Sequence, residues 1–188
     1  SGIQFHGGYG ELTADDLVWN INDTNPNLSE SLGTGNVSIT DGSGTWAGFL
    51  GSNPTEKTGD YSVRINWEAF DPRWDTWFFG QDGLGAGIVS KNAFETEGQE
   101  WNQDHLIGTG PFELTSWKRG DRTVYTAVDN HWRKTPDVTS ITRISVPDET
   151  VRLAQLATGD ADIADVGISN VAEAQRVGMV AKGSGAAR

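Results

Sequence analysis

The chain has 188 residues, in which 26 acidic side chains outnumber 14 basic ones and give a formal net charge of −12. This balance argues against a nucleic-acid partner, because a protein that binds a phosphate backbone needs a basic face. Cysteine is absent, which excludes disulfides, thiolate metal sites and thiol nucleophiles. No apolar run approaches the roughly 18 residues that cross a bilayer, so no transmembrane segment is predicted.

The negative charge is concentrated in the first half of the chain. Residues 1–100 carry 15 acidic and four basic side chains, whereas residues 101–188 carry 11 acidic and 10 basic ones. The two halves therefore differ in character, and we place the joint between them near residues 101–110.

The first predicted elements are a helix and a hairpin. Thr13 and Asp16 mark a helix start, with the Thr13 hydroxyl capping the Asp16 amide, and the helix ends within residues 22–27. Apolar and polar residues alternate over residues 61–67, which predicts a half-buried strand. We expect residues 46–50 to be its partner strand and the residues between the two to be their connection.

Two short helices and a strand complete the predicted first half. Trp74 and Trp77 lie at helical spacing, and this helix is expected to end at Gly80. After a glycine-rich loop, residues 88–89 are predicted to form a strand. Ser90 then caps a helix that runs to about residue 97.

The second half has clearer signals. Two segments in which apolar and polar residues alternate are joined by a short Gly-containing turn, which predicts an antiparallel hairpin. Further predicted strands and helices follow one another after it. The predicted strands cover residues 112–118, 122–128, 141–146 and 161–166, and the helices open at residues 147–150 and at residue 168. This alternation predicts a mixed α/β or α+β class.

Motifs for metals and cofactors are weak. The run that begins at Asp23 resembles a calcium loop, but it lacks the turning Gly and the bidentate Glu. The three histidines, His6, His105 and His131, lie far apart without a second ligand at i+2 to i+4, which favours structural or surface roles over zinc. The glycine run at residues 83–87 does not join a strand to a helix, so it is no dinucleotide loop. We predict no metal and no cofactor.

Catalytic chemistry has no positive support either, so we predict that the protein is not an enzyme. An enzyme that uses Asp82, or the cluster Asp160, Asp162 and Asp165, would lack a partner base. The eight tryptophans leave another class open. Trp67, Trp74, Trp77 and Trp117 favour core packing over ligand stacking, but exposed aromatics would suit a secreted carbohydrate-binding domain rich in Trp and Gly.

Several passages, in order along the chain, resemble one family. Residues 108–122, GTGPFELTSWKRGDR, resemble the "GTGPY-x-L-x-x-W" passage of extracellular solute-binding proteins of family 5, the receptors of dipeptide, oligopeptide and nickel ABC importers. Further similar passages are FHGG at 5–8, ELTADDLV at 11–18, SK at 90–91, DNHW at 129–132, ISVPDETVR at 144–152 and LATGDADI at 156–163. Departures are Gly7, where the family has an acidic residue, and residues 23–45, which lack the usual helical continuation.

The resemblance implies a periplasmic-binding-protein-like type II fold, of which this chain is an internal portion. Residues 1–100 would form part of the extra subdomain of the first lobe, residues 101–166 the central part of that lobe, and residues 167–188 the hinge and the start of the second lobe. The chain begins Ser1-Gly2 without an initiator Met, and we expect any signal peptide or lipid anchor to lie upstream.

The resemblance also implies a function and a site. The function would be the substrate-binding component of an ABC-type importer, periplasmic or extracellular and membrane-associated, with a peptide or similar solute as ligand and a membrane permease as partner. In this fold the loop that contains Gln81, Asp82 and Leu84 faces the cleft, and Trp77 would form a cleft wall. A carboxylate at Asp82 would favour an amino-bearing ligand, although a solvent-exposed loop remains an equal interpretation.

Overall fold

A computed structural model describes residues 1–23, 53–70, 72 and 87–182. Helices and strands are mixed along the chain, as predicted. In chain order they are α1 (Ala14–Asp23), β1 (Thr55–Gly59), β2 (Ser62–Ile65), α2 (Lys91–Glu97), α3 (Gln99–Asp104), β3 (Phe112–Lys118), β4 (Arg122–Ala127), β5 (Ser140–Ile144), α4 (Glu149–Thr158) and α5 (Val171–Arg176), with 3-10 turns at His6–Gly8 and Ile168–Asn170.

The chain divides into two compact units. The first comprises Ser1–Trp117 and Val124–Ile141, and the second comprises Lys118–Thr123 and Thr142–Arg188. Residues 101–110, where the composition changes, lie inside the first unit. Buried apolar side chains of the first unit include Phe5, Ala14, Ile21 and Ala93, and those of the second include Leu156 and Ala174.

Helix α1 begins where the sequence predicts it, but at its first turn Thr13 is the hydrogen-bond donor and the Asp16 side chain is the acceptor, instead of the predicted reverse. The Asp16 Oδ2 atom accepts hydrogen bonds from the Thr13 backbone N–H at 3.0 Å and from the Thr13 hydroxyl at 3.1 Å. The carboxylate three residues into the helix thus reaches back to the capping residue, which is the second half of a capping box. Helix α1 contacts β1, β2 and α2.

Strands β1 and β2 form an antiparallel pair in which Thr55 opposes Ile65 and Lys57 opposes Val63. The strand predicted at residues 61–67 is therefore confirmed. The prediction that the residues before it are only a connection was wrong, because β1 lies there and a tight turn after Gly59 brings the chain back. The signal was hidden because β1 reads TEKTG and is exposed over four of its five residues, so no apolar alternation marks it. Residues 46–50 lie outside the described residues.

Helices α2 and α3 follow one another across Gly98. The Ser90 hydroxyl accepts from the Ala93 N–H at 3.1 Å and so caps α2 as predicted. The Phe94 ring lies 5.0 Å from the Trp19 ring of α1. Helix α3 was not predicted, because its six residues, QEWNQD, carry no apolar stripe. The predicted helix around Trp74 and Trp77 lies outside the described residues.

Strands β3, β4 and β5 form a three-stranded sheet in that order. The β3–β4 hairpin is confirmed as antiparallel by hydrogen bonds at both ends, from Asp121 N to the Lys118 carbonyl and from Val128 N to the Pro111 carbonyl. Strand β5 is exposed at all five positions.

Helix α4 has the boundaries that the sequence predicts. Asp148 caps its N-terminus by accepting from the Thr150 and Val151 amides, and Gly159 ends it in the left-handed conformation at φ 80°. The short strand predicted at residues 161–166 was wrong. The amides of Asp160 and Ala161 instead donate to the Gln155 carbonyl and complete the helix end.

Gly159→Ala is expected to lower the free energy of unfolding by about 1 kcal/mol, because a Cβ is disfavoured at positive φ. The surroundings would not add to this cost, since no atom lies within 4 Å of the position of the added Cβ. Urea unfolding measures the change. Gly159→Asn should cost less, because Asn tolerates the left-handed region, and equal losses for both variants would contradict the backbone explanation.

Candidate functional site

The four residues predicted to contact ligand, Trp77, Gln81, Asp82 and Leu84, lie outside the described residues. The structure does describe the segment that follows them, from Gly87 onward, and the side chains that hold it. The described part of this region therefore begins at Gly87.

Residues 88–89 do not form the predicted strand. A side chain of α1 takes the place of a neighbouring strand: the Val89 N–H donates to Asn20 Oδ1 at 3.1 Å, and Asn20 Nδ2 donates to the Val89 carbonyl at 2.8 Å. A carboxamide offers one acceptor and two N–H donors, so it can pair with a peptide group in both directions. Asn20 is only 4% exposed, and its Nδ2 also donates to the Asp16 carbonyl at 2.8 Å.

The next two residues are also held. The Ser90 N–H donates to the Ile107 carbonyl at 3.0 Å, and the Lys91 N–H donates to Asp16 Oδ1 at 3.2 Å. Asp16 is 7% exposed and Ser90 is fully buried. Buried polar groups are costly unless they are hydrogen-bonded, and here each has a partner. The result is a polar framework, formed by Asp16, Asn20 and Ser90, that fixes the start of α2 against α1.

A second structured segment is the glycine-containing loop at residues 108–110, whose carbonyls are held from distant parts of the chain. The Gly108 carbonyl accepts from the His6 backbone N–H, and the Gly110 carbonyl accepts from His6 Nε2 at 2.9 Å. The Thr109 carbonyl accepts both from His131 Nε2 at 3.0 Å and from Trp132 Nε1 at 2.9 Å. The loop conformation is therefore set by side chains outside the loop.

An aromatic group lies on the first unit beside α3. The His105 ring stacks on Trp101 with centroids 4.0 Å apart and an interplanar angle of 5°, and Tyr9 lies 6.1 Å from the same Trp101 ring. The Tyr9 hydroxyl donates to Glu97 at 2.9 Å, and this hydrogen bond to the Glu97 carboxylate raises the pKa of the Tyr9 phenol.

In the second unit, side chains of helix α4 bind the backbone on both sides of the helix. The Arg152 guanidinium donates to the carbonyls of Val146, Pro147 and Asp165 at 2.6 to 2.8 Å. The Glu149 carboxylate accepts from the Gly167 N–H. Hydrogen bonds from the Asn170 side chain and from that Gly167 amide lower the pKa of Glu149.

Comparison with known proteins identifies the family. Residues 1–185 match the family described as bacterial extracellular solute-binding proteins, family 5 middle. The chain belongs to family 5. Family 5 proteins are solute-binding proteins, not enzymes, and they are extracellular or periplasmic.

The relatives share the fold and are longer. The oligopeptide-binding protein AppA of Bacillus subtilis is 27% identical over 186 residues, which cover 93% of this chain and 30% of AppA. The structure of AppA in complex with a nonapeptide is 25% identical with a TM-score of 0.70, over 94% of this chain and 33% of that chain. The structure of HbpA2 from Haemophilus parasuis is also 25% identical, with a TM-score of 0.75, over 95% of this chain and 36% of that chain.

These likenesses confirm the family and the periplasmic-binding-protein-like fold predicted from the sequence. The chain spans about a third of the length of these family 5 relatives. Among the described residues, no helix is long and apolar enough to cross a membrane. Within the same residues, no group of three His, Cys, Asp or Glu side chains could hold a metal ion.

Each of the three histidines of this family 5 chain has a ring nitrogen that binds a backbone carbonyl: His6 that of Gly110, His105 that of Trp101, and His131 that of Thr109. Sequence reasoning missed Asn20 and Asn102, which are both 4% exposed. A signal for Asn20 existed, because Asp16 and Asn20 stand four residues apart and therefore share one face of the helix.

Proposed function

We propose that the protein containing this chain is the substrate-binding component of an ABC-type importer, which captures a peptide between two lobes and delivers it to a membrane permease. The observation that carries this proposal is the family 5 match over residues 1–185, together with a relative named as oligopeptide-binding whose structure holds a nonapeptide. Capture would be reversible and non-catalytic, by lobe closure about a hinge. The protein would work outside the cytoplasmic membrane and be associated with it.

Within that receptor, we assign residues 1–100 to the extra subdomain of the first lobe, residues 101–166 to its centre, and residues 167–188 to the hinge and the start of the second lobe. Gln81, Asp82 and Leu84 would contact the ligand, with Trp77 as a cleft wall. The Asp82 carboxylate would pair with the free amino group of a peptide. The resemblance of Ser90-Lys91 to the family passage after this loop supports the assignment.

The alternative of a secreted carbohydrate-binding domain has no support in the comparisons. Several tryptophans also have structural partners that account for them without a sugar. Trp19 packs against Phe94, Trp101 stacks on His105, and Trp132 donates to the Thr109 carbonyl.

Thermal shift of the full-length protein tests the peptide proposal. We would compare a dipeptide, a nonapeptide, nickel chloride and maltose, because a ligand that binds only the native state raises the melting temperature. A peptide at about 100 times its dissociation constant should stabilise the native state by roughly 2.7 kcal/mol. Stabilisation by maltose but by no peptide would overturn the proposal.

The Asp82 assignment has its own control in the same assay. Asp82→Asn should weaken binding of a peptide with a free amino terminus and leave binding of the N-acetylated peptide unchanged. Equal losses for both peptides would argue against an ion pair between this carboxylate and the ligand.

A further inference from the structure

We propose that Glu149 is an acid-sensitive latch within the second unit: as a carboxylate it fixes the turn 167–170 against the start of helix α4, and on protonation it releases that turn. The inference concerns the conformation of one described unit. It holds whether or not the protein binds a peptide, so it goes beyond the proposed function.

The latch consists of two hydrogen bonds to one side chain. Glu149 is the first residue of α4, and its Oε1 atom accepts from the N–H of Gly167, which lies 18 residues further along the chain. The same carboxylate accepts a hydrogen bond from the Asn170 side chain. The turn is itself closed by a hydrogen bond from the Asn170 N–H to the Gly167 carbonyl at 2.9 Å. One carboxylate therefore binds both ends of the turn 167–170.

The backbone of Gly167 lies unusually close to this carboxylate. Gly167 has φ −66° and ψ 155°, a conformation that any residue adopts, so the backbone angles do not require glycine. A Cβ at this position would lie 3.3 Å from Glu149 Oε1 and 3.6 Å from Oε2. Glycine therefore suits the position because it leaves room for the carboxylate.

The latch depends on the negative charge, because both of its partners in the turn are donors. Hydrogen bonds from the Asn170 side chain and from the Gly167 amide lower the pKa of Glu149 below its ordinary value of 4.5. The Arg152 cation adds to this effect, whereas loss of hydration and the neighbouring Asp148 carboxylate oppose it. The turn itself, Gly-Ile-Ser-Asn, carries no titratable side chain.

The sign of the pH dependence follows from that direction. A carboxyl group whose pKa is lowered by folding stabilises the folded state above its ordinary pKa, and the stabilisation is lost as the pH falls through the folded value. The latch is therefore closed at neutral pH and opens below pH 4.5. Family 5 proteins are extracellular or periplasmic, so they meet the pH of the surroundings.

Release is confined to the turn, because Arg152 holds the chain just before it. The Arg152 guanidinium donates to the Asp165 carbonyl at 2.8 Å. A guanidinium stays charged at every pH at which a protein is folded, so this contact does not respond to acid. Acid should free residues 167–170 while Asp165 stays bound to α4.

Amide hydrogen exchange of the full-length protein without ligand tests the latch. Protection factors at residues 167–170, corrected for the intrinsic exchange rate, would be compared at about pH 7 and about pH 3, with residues 155–158 of α4 as the internal reference. Wild-type protection of the turn should fall about three- to tenfold relative to this reference. Glu149→Gln keeps the shape without the charge, and it should show the low protection at both pH values.

Asp148→Asn is the matched control, because it removes the neighbouring titratable group and keeps a side chain that caps α4. This variant should retain the wild-type pH response. A response that persists in Glu149→Gln or disappears in Asp148→Asn would overturn the inference, since another group would then be responsible.

Two further outcomes would also overturn it. Wild-type protection in Glu149→Gln at neutral pH would show that the charge is not needed, and a parallel loss of protection at residues 155–158 would show that acid unfolds the whole unit. A wild-type protein that bound no peptide would contradict the proposed function and leave the latch unaffected.

Discussion

Asp16→Ala is expected to lower the free energy of unfolding by about 3 kcal/mol, because it removes one acceptor from three partly buried donors at once. The carboxylate accepts from the Thr13 N–H, the Thr13 hydroxyl and the Lys91 N–H. Because Asp16 is only 7% exposed, the three donors would be left without an acceptor in a place that water reaches poorly. Urea unfolding followed by circular dichroism measures the loss.

The neighbouring carboxylate provides the control for this prediction. Asp15 is ion-paired with Lys57 at 2.7 Å, but its side chain is 58% exposed, and exposed pairs contribute little. Asp15→Ala should therefore leave the unfolding midpoint almost unchanged. Asp16→Asn, which keeps one oxygen, should fall between the two. A small effect of Asp16→Ala would show that α1 is held by its apolar contacts and not by this carboxylate.

Arg152→Ala is expected to lower the free energy of unfolding of the second unit by about 2 to 3 kcal/mol. One guanidinium holds the carbonyls of Val146 and Pro147, which precede α4, and that of Asp165, which follows it. Hydrogen bonds from a charged donor are the stronger ones, and the fixed fork of arginine reaches several acceptors at once. Thermal unfolding, with amide exchange at residues 165–167, measures the effect.

Two control variants distinguish the effect of the guanidinium geometry from that of its positive charge. Arg152→Lys keeps the charge but cannot reach all three carbonyls, so it should recover only a part of the loss. Arg176→Ala removes a cation whose partner is the exposed Glu173, and it should change the melting temperature little. Full recovery by Lys would contradict the proposed geometric role of the guanidinium.

The parts of the fold that the sequence predicts are those with a local signal. Helix α4 has an acidic cap, an apolar stripe and a closing glycine, and the β3–β4 hairpin has alternation around a turn. Strand β1 and helix α3 carry polar sequences, so their structure depends on what they contact. The segment 161–166 has a local signal that misleads. Its alternation of apolar and polar residues suggests a strand, but the Ala161 amide donates to the Gln155 carbonyl at the end of α4, and the Asp165 carbonyl accepts from Arg152.

The site was less predictable than the fold, for a physical reason. Local patterns mark periodicity and caps, but Asn20 acts on Val89, 69 residues away in sequence. No local rule tells which backbone a buried carboxamide will meet. The residues proposed to contact ligand came from a resemblance, and they remain a prediction.

The hydrogen bonds around residues 108–110 also bear on the order of folding. His6 reaches the Gly110 carbonyl across 104 residues, and His131 reaches the Thr109 carbonyl across 22. Contacts between residues far apart in sequence require the chain to lose loop-closure entropy before the stabilising hydrogen bond forms. They therefore slow folding. During synthesis, the segment around His6 must wait until more than a hundred further residues have left the ribosome before its contacts can form. We therefore expect the β3–β4 hairpin and α4 to form early and the His6 turn to dock among the last steps.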